Sequence, residues 1–359
     1  MPRTRSRVRR GRLLIAAVII VTAAIAAGTG VLILRSNPTP TRGGGPPAPS
    51  STTSTTSPPP PVTPIGTYRV ATTALTVPVS GPTPTDDNLP TTVWYPAGLV
   101  HAVVRRARRH RYPLVVFSQG YQQRVSSYSL LLEDWASAGF VVAGPTYPHT
   151  TPTQPAELNR ADIVNHPADL RAVIAALISA SKSTGSPLSE VINTNEIGLA
   201  GQSDGGDVSL AVADNTCCRY PGIKAAAILS GAEFPLFGGR YFNPATPSGP
   251  PLLVVQGDRD TINLPVCSVQ LYDAAPPPKY YLDLLGATHL VPYEQAGPYE
   301  SVVATVTTDF FDAELAGERA ALVQMTLGGN VAGTAQLTSA PTAPPATGAC
   351  VTDLTPPGL

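Results

Sequence analysis

Short apolar runs alternate with segments of helical periodicity through the central part of the chain. Six such runs carry few polar side chains, which predicts strands buried on both faces: PLVVFS, FVVAGP, IGLAG, KAAAILSG, PLLVVQG and KYYLDLLG. Between them, apolar positions recur at helical spacing, most clearly over 161–181. Further helices are predicted over 127–137, 207–213 and 299–315, and edge strands over 68–77 and 91–95. This alternation predicts an α/β fold, a mostly parallel central sheet with helices on both faces.

The N-terminal region follows a different pattern. Residues 13–34 carry no charge and are long enough to cross a bilayer core of about 30 Å. The preceding segment 1–12 contains arginines and no acidic residue, which predicts a cytoplasmic N terminus and an exported body. A transmembrane anchor is favoured over a cleaved signal peptide, because the apolar core of a signal peptide spans only about 7–15 residues.

Composition divides the rest of the chain. Residues 35–64 are rich in Pro, Ser, Thr and Gly and predict an extended linker. A folded domain is predicted over 65–327, followed by a loose C-terminal tail over 328–359. From residue 65 onward, 16 Lys and Arg face 24 Asp and Glu, so nucleic acid is not an expected partner. The basic insert 101–111 is interpreted as a solvated loop, with contact to anionic lipid or wall polymer as the alternative.

The cysteines indicate disulfide bonds, because the body of the chain is predicted to be exported. Adjacent Cys217 and Cys218 are not expected to bond each other, so one of them is predicted to pair with Cys267 or Cys350. No CxxC motif or His–Cys spacing indicates a metal site, and no metal or organic cofactor is predicted.

A G-x-S-x-G motif spans Gly201 to Gly205, after a predicted strand and before a predicted helix. In that context the glycines permit a tight turn that raises the hydroxyl of Ser203 above the sheet. Ser203 is therefore the candidate nucleophile, and an ordinary glycine-rich turn is the alternative.

A serine nucleophile needs a base. His289 follows the last predicted strand and lies downstream of Ser203, in the chain order of a Ser–acid–His triad. The other histidines lie in the basic insert, in a predicted helix (His166), or before the serine (His149, which could line the pocket).

Three carboxylates compete to orient His289. Asp260 and Asp258 follow the strand PLLVVQG, and Glu233 follows the preceding strand. Asp260 is favoured, with Glu233 as the main alternative. A carboxylate in this position holds the imidazole in the required tautomer and stabilises its cation.

An oxyanion requires two preorganised N–H donors. The amide of Asp204, directly after the serine, supplies one. The second is expected from the loop after PLVVFS, and Tyr121 is the candidate.

Together the segments FSQGYQQ, EDWASAGFVVAGP, GQSDGG, GDRDT and GATHL resemble the α/β-hydrolase superfamily over about residues 65–325. The resemblance is greatest to the branch of cutinase-like polyester hydrolases, chlorophyllase-like and dienelactone-hydrolase-like esterases, and platelet-activating-factor acetylhydrolases. The polyester hydrolases imply Tyr121 as oxyanion donor and Asp260 as acid, whereas the acetylhydrolases imply an acid near Glu233. Many relatives carry His or Met where this chain has Gln119 and Asp204, and an inward-facing Asp204 would disfavour anionic substrates.

The resemblance implies an α/β-hydrolase fold and a serine hydrolase that cleaves carboxylic esters, and the N-terminal segment predicts that this enzyme is exported. Small-molecule, lipid or polymer esters are the expected substrates of a monomeric catalytic domain, held at the membrane by its N-terminal segment. Acyl transfer or amide hydrolysis on the same triad is one alternative. A catalytically silent surface-binding protein is the other.

Overall fold

The computed structural model describes residues 66–79, 88–99, 111–153, 158–343, 350 and 354. The predicted segments 1–12, 13–34 and 35–64 and nearly all of the insert 101–111 lie outside the described residues. Within the described part, no helix is both long and apolar enough to cross a membrane. The anchor over 13–34 therefore stays a prediction.

A nine-stranded sheet forms the centre of the domain. Its strands are β1 (Tyr68–Pro78), β2 (Asn88–Leu99), β3 (Tyr112–Ser118), β4 (Val141–Pro145), β5 (Ile192–Gln202), β6 (Ile223–Leu229), β7 (Leu252–Gly257), β8 (Lys279–Leu284) and β9 (Ala335–Thr338). Their order is β1-β2-β4-β3-β5-β6-β7-β8-β9. Strands β3 to β8 run parallel, while β1, β2 and β9 pair antiparallel at the two edges. The predicted mostly parallel sheet is confirmed.

Helices cover both faces of this sheet. They are α1 (Ser129–Ala138), α2 (His166–Lys182), α3 (Asp204–Asp214), α4 (Pro265–Ala274), α5 (Val291–Glu294), α6 (Pro298–Glu314) and α7 (Ala321–Gly328). Alternate residues of β3 enter opposite cores: Leu114 belongs to the core that includes side chains of α2, α3 and α4, and Val115 to the core that includes those of α1, α6 and α7. Each central strand is thus apolar on both faces because both faces are buried.

The folded region includes elements that the sequence pattern did not predict. Strand β9 lies within the predicted tail 328–359 and pairs antiparallel with β8. Helices α4, α5 and α7 were also not predicted. Buried and exposed apolar side chains occur together in α7, where Met325 is buried but Val323 and Leu327 are exposed. No amphipathic stripe therefore marks this helix in the sequence.

The predicted cysteine pairing is wrong. Cys217 bonds its neighbour Cys218, and Cys267 bonds Cys350. The adjacent pair lies in a turn after α3, where the side chain and carbonyl of Asn215 accept hydrogen bonds from the amides of Cys217 and Cys218. This turn brings the two sulfurs together. Cys267 lies instead in the first turn of α4, facing the C-terminal segment.

Candidate active site

The G-x-S-x-G motif forms the junction between β5 and α3. Ser203 sits between the two elements with φ 55° and ψ −128°, a conformation that non-glycine residues seldom adopt. A Cβ atom at Gly201 would collide with the carbonyl of Gly205, and one at Gly205 would collide with the carbonyl of Ser118. Glycine is required at both positions because backbones approach closely there, and this approach fixes Ser203 at the carboxyl end of the sheet.

Three of the predicted residues form a hydrogen-bonded chain. The Oγ of Ser203 lies 2.9 Å from Nε2 of His289, and Nδ1 of His289 lies 2.7 Å from Oδ2 of Asp260. All three side chains are buried. His289 comes from the loop after β8 and Asp260 from the loop after β7, so parallel strands bring the three residues to one edge of the sheet.

The carboxylate of Asp260 is held by donors on both oxygens. Oδ1 accepts the amides of Ile262 (2.8 Å) and Asn263 (3.0 Å), and Oδ2 accepts Nε2 of Gln256 (3.0 Å) as well as the imidazole. A carboxylate fixed in this way accepts the Nδ1–H of His289. Nε2 is then left as the acceptor for the Ser203 hydroxyl.

The two competing carboxylates lie elsewhere. Glu233 is half-buried and lines an open groove of about 600 Å³ with Arg240, Tyr241 and neighbouring residues. Burial raises the pKa of Glu233. Asp258 accepts the amide of Gly286 through Oδ1 at 2.6 Å and so stabilises the turn after β8. Asp260 is the carboxylate that the structure places against His289.

Tyr121 lies in the loop after β3, between two amides that already have acceptors. The amide of Gly120 donates to the Tyr128 hydroxyl at 3.4 Å, and that of Gln122 to the carbonyl of Thr150 at 2.8 Å. These two bonds hold the loop on either side of the Tyr121 peptide, and Tyr121 itself is buried. The second predicted donor, the amide of Asp204, opens α3, where first-turn amides have no acceptor within the helix.

The side chain of Asp204 is engaged by a residue that the sequence analysis missed. Nε of Arg160 donates to Oδ2 of Asp204 at 2.9 Å, and Nη2 donates to Oδ1 at 2.7 Å. The side chains are only 2% and 6% exposed, so this bidentate pair is buried. The prediction that an inward-facing Asp204 disfavours anionic substrates assumes an uncompensated carboxylate. The guanidinium of Arg160 compensates that charge.

Gln202 also went unnoticed, although it is the second residue of the motif. Its Oε1 accepts the hydroxyl of Tyr128 at 2.8 Å, and its Nε2 donates to the carbonyl of His289 at 3.1 Å. The same Nε2 lies 3.2 Å from the Nε2 of His289. These partners lie far from Gln202 along the chain, so no local pattern could reveal the contacts.

His149 is half-buried in the segment after β4, and its carbonyl accepts the amide of Asn159. Within the described ranges, no group of three or more His, Cys, Asp or Glu side chains is placed to hold a metal ion.

Comparison with known proteins adds one match. A sequence profile of the family described as chlorophyllase matches residues 88–233. The matched region runs from β2 past β6 and includes Tyr121 and Ser203, but it ends before Asp260 and His289. No curated protein matches the chain. The match supports the fold and the segments that carry the serine, and the predicted roles of the individual residues stay predictions.

Proposed function

We propose that this chain, which has an α/β-hydrolase fold and matches the chlorophyllase profile over residues 88–233, is a serine hydrolase that cleaves carboxylic esters. The observation that supports this proposal most is the buried hydrogen-bonded chain from Ser203 through His289 to Asp260, with distances of 2.9 and 2.7 Å. The chlorophyllase match agrees with an ester as the substrate class.

Acylation begins at Ser203. His289 accepts the hydroxyl proton at Nε2 while Oγ attacks the ester carbonyl, and Asp260 stabilises the imidazolium that forms. The carbonyl oxygen becomes an oxyanion, which the amides of Tyr121 and Asp204 stabilise by hydrogen bonds. When the tetrahedral intermediate collapses, the C–O bond breaks and His289 returns its proton to the leaving alcohol.

Deacylation repeats these steps with water. His289 removes a proton from water, the hydroxide attacks the acyl-enzyme carbonyl, and the same amides hold the second oxyanion. Collapse releases the carboxylic acid and returns the proton to Ser203. The triad and the two amides provide every proton transfer and charge stabilisation that this cycle requires.

We also place the enzyme outside the cytoplasm, tethered by residues 13–34 or secreted if that segment is cleaved. The arginines of segment 1–12 support export, as does the Cys267–Cys350 disulfide, because such bonds persist in oxidising compartments. Small-molecule, lipid and polymer esters are the substrates proposed for the monomeric catalytic domain. Cell fractionation with an antibody to the folded domain tests this location, and recovery in the cytosol would contradict it.

Labelling with a fluorophosphonate probe tests the reaction class. We expect the wild-type protein to be labelled and Ser203→Ala to be unlabelled. Ser209→Ala serves as the matched control, because Ser209 lies in α3, the helix that follows Ser203. Its hydroxyl is buried and donates to the carbonyl of Ala200 at 2.9 Å. That variant should retain labelling. Absence of labelling in the folded wild type would exclude a serine nucleophile.

Matched substrates then test the leaving group. We expect p-nitrophenyl esters to be hydrolysed faster than the corresponding p-nitroanilides. Faster cleavage of the anilides would indicate an amidase, and preferential transfer of the acyl group to an added alcohol would indicate an acyltransferase.

A further inference from the structure

We propose that Arg160 is a positioning residue that neutralises Asp204, so that the Asp204 amide can stabilise the oxyanion. The inference rests on the proposed function, because it assigns a role in the same ester hydrolysis. It adds Arg160, whose guanidinium hydrogen-bonds the carboxylate of Asp204.

The Arg160–Asp204 ion pair lies next to the proposed oxyanion donor, which is the backbone amide of Asp204 itself. Within Asp204, only Cα and Cβ separate the amide nitrogen from the carboxylate carbon. The amide can therefore act on an oxyanion only with the Asp204 carboxylate close by. Two like charges at such a distance repel strongly in a site that excludes water. An uncompensated carboxylate would oppose the transition state that the amide stabilises.

Arg160 matches this carboxylate in charge and in shape. Its two donors meet the two oxygens at 2.9 and 2.7 Å, the geometry in which arginine binds carboxylates most strongly. The guanidinium carbon also lies 5.8 Å from the centre of the Phe234 ring. Aromatic packing of this kind favours the planar cation over a lysine ammonium.

A second carboxyl group in the cluster does not restore the negative charge. Asp207, one turn further along α3, is buried and accepts the amide of Ala232 through Oδ1 at 2.7 Å. Burial, followed by the charge of Asp204, raises the pKa of Asp207 well above its usual value. This raised pKa favours the neutral form of Asp207, so its carboxyl adds less negative charge beside the Arg160–Asp204 pair.

The segment that carries Arg160 also reaches the loop of the other oxyanion donor. Thr150 accepts the amide of Gln122, and the side chains of Thr151 and Gln119 are in contact. Arg160 could therefore act merely as a tether that holds this segment in place. Charge neutralisation and tethering predict different results when both partners of the pair are replaced.

Three variants separate the two roles: Arg160→Met, Asp204→Asn and the double variant. Arg160→Met should lower kcat for a neutral p-nitrophenyl ester by roughly tenfold or more, with KM changed less than about threefold. Asp204→Asn keeps the backbone amide and removes the opposing charge, and its kcat is the reference against which the double variant is compared. The double variant should recover most of the kcat that Arg160→Met loses. A tether would leave the double variant no better than Arg160→Met.

Two further variants act as controls. Arg160→Lys keeps the charge but not the bidentate geometry, so it should retain more kcat than Arg160→Met. Arg219→Gln removes an ion pair with Asp214 at the other end of the same helix, where Nη1 and Oδ1 lie 3.7 Å apart. It should change kcat less than about twofold even if the melting temperature falls.

The outcomes distinguish this inference from the proposed function. If the folded wild type neither hydrolyses esters nor reacts with fluorophosphonate, the proposed function is wrong. If the wild type is active but kcat of the double variant is no higher than that of Arg160→Met, the proposed neutralisation of Asp204 by Arg160 is wrong. An Arg160→Met variant with wild-type kcat would also overturn the inference.

Discussion

Two buried clusters of histidine and carboxylate side chains in the described part of the chain are built in opposite ways. The triad cluster (Ser203, Asp260 and His289) gives its carboxylate hydrogen-bond donors on both oxygens. In the α2 cluster (Asp162, His166 and Asp169), the hydrogen bonding of the polar side-chain atoms is less complete. Nε2 of His166 lies 3.5 Å from Oδ2 of Asp162, and Oδ2 of Asp169 is buried without a hydrogen-bond partner among the described residues.

The difference shows what a buried acid and histidine need in order to act in catalysis. In the α2 cluster, burial raises the pKa of Asp169 to about 6; His166 opposes this shift and Asp162 adds to it. A perturbed pKa is therefore present where no serine hydroxyl meets the imidazole. His166 instead stacks on Tyr147, with ring centres 3.9 Å apart. Only the triad cluster combines an oriented histidine with a nucleophile and candidate oxyanion amides.

The largest effect should come from Asp260→Asn. The amide can still occupy the site, but it no longer stabilises the required tautomer or the imidazolium of His289. We expect kcat for ester hydrolysis to fall by about 10⁴-fold, with retention of the fold. Steady-state kinetics with a p-nitrophenyl ester and circular dichroism measure the two quantities.

Glu233→Gln is the matched control for that prediction, because Glu233 is the competing carboxylate and lies in the groove with Arg240. It should retain kcat within about threefold of the wild type. If Glu233→Gln instead lost most of the activity while Asp260→Asn kept it, the assignment of the acid would be reversed.

A smaller effect is expected from Gln202→Leu. Its amide bridges the Tyr128 hydroxyl and the carbonyl of His289, so the substitution should loosen the histidine loop relative to Ser203. We expect kcat to fall by roughly 10- to 100-fold, with a smaller change in KM. Tyr128→Phe removes the hydroxyl that bonds Gln202 and accepts the amide of Gly120, but it keeps the bond from Gln202 to the carbonyl of His289 and should have a weaker effect. A Gln202→Leu variant with unchanged kcat would show that the triad cluster is oriented without this bridge.

Sequence patterns predict the triad cluster well because its signals are local. The glycines around Ser203, and the positions of Asp260 and His289 directly after apolar strands, can be seen within short segments. Because the strands are parallel, their carboxyl ends lie at one edge of the sheet and bring these three residues together. The central strands were predictable for the same reason, since burial on both faces leaves long apolar runs.

Contacts between distant segments were not predictable. Arg160 and Asp204 lie 44 residues apart, and nothing in either segment identifies the other residue as its partner. Disulfide connectivity also depends on the fold and cannot be deduced from spacing. Strand β9 is short and lies in a stretch whose composition is typical of a tail. Its conformation depends on pairing with β8, which no local signal reveals.

In the α2 cluster, Asp169→Asn should change stability in a pH-dependent way. The pKa of Asp169 rises from 3.8 to about 6 on folding, so the folded state holds a proton that the unfolded state has lost between these values. Wild-type stability should therefore fall as pH rises through this window. The free energy of unfolding of the variant, relative to wild type, should increase by about 1–2 kcal/mol between pH 4 and pH 6.5.

Urea unfolding at both pH values measures this difference. Asp162 and His166, the groups that face Asp169, are present in both proteins. Asp273→Asn, at an exposed position of α4, is the surface control and should show a much smaller change. Equal pH dependence of Asp169→Asn and wild type would show that Asp169 does not titrate in this window.

The smallest effect should come from Tyr147→Phe, which tests whether the two clusters communicate. Tyr147 stacks on His166, and its hydroxyl lies 3.0 Å from Oγ of Ser118, at the end of the strand that leads to Tyr121. The substitution keeps the ring and removes one buried hydrogen bond. We therefore expect a loss of about 1 kcal/mol in the free energy of unfolding, with kcat within about threefold of wild type. Ser118→Ala removes the other partner and should match it in both measurements. If Tyr147→Phe lowered kcat tenfold or more while Ser118→Ala did not, the Tyr147 hydroxyl would act on catalysis by a route other than Ser118, and the separation of the two clusters would be wrong.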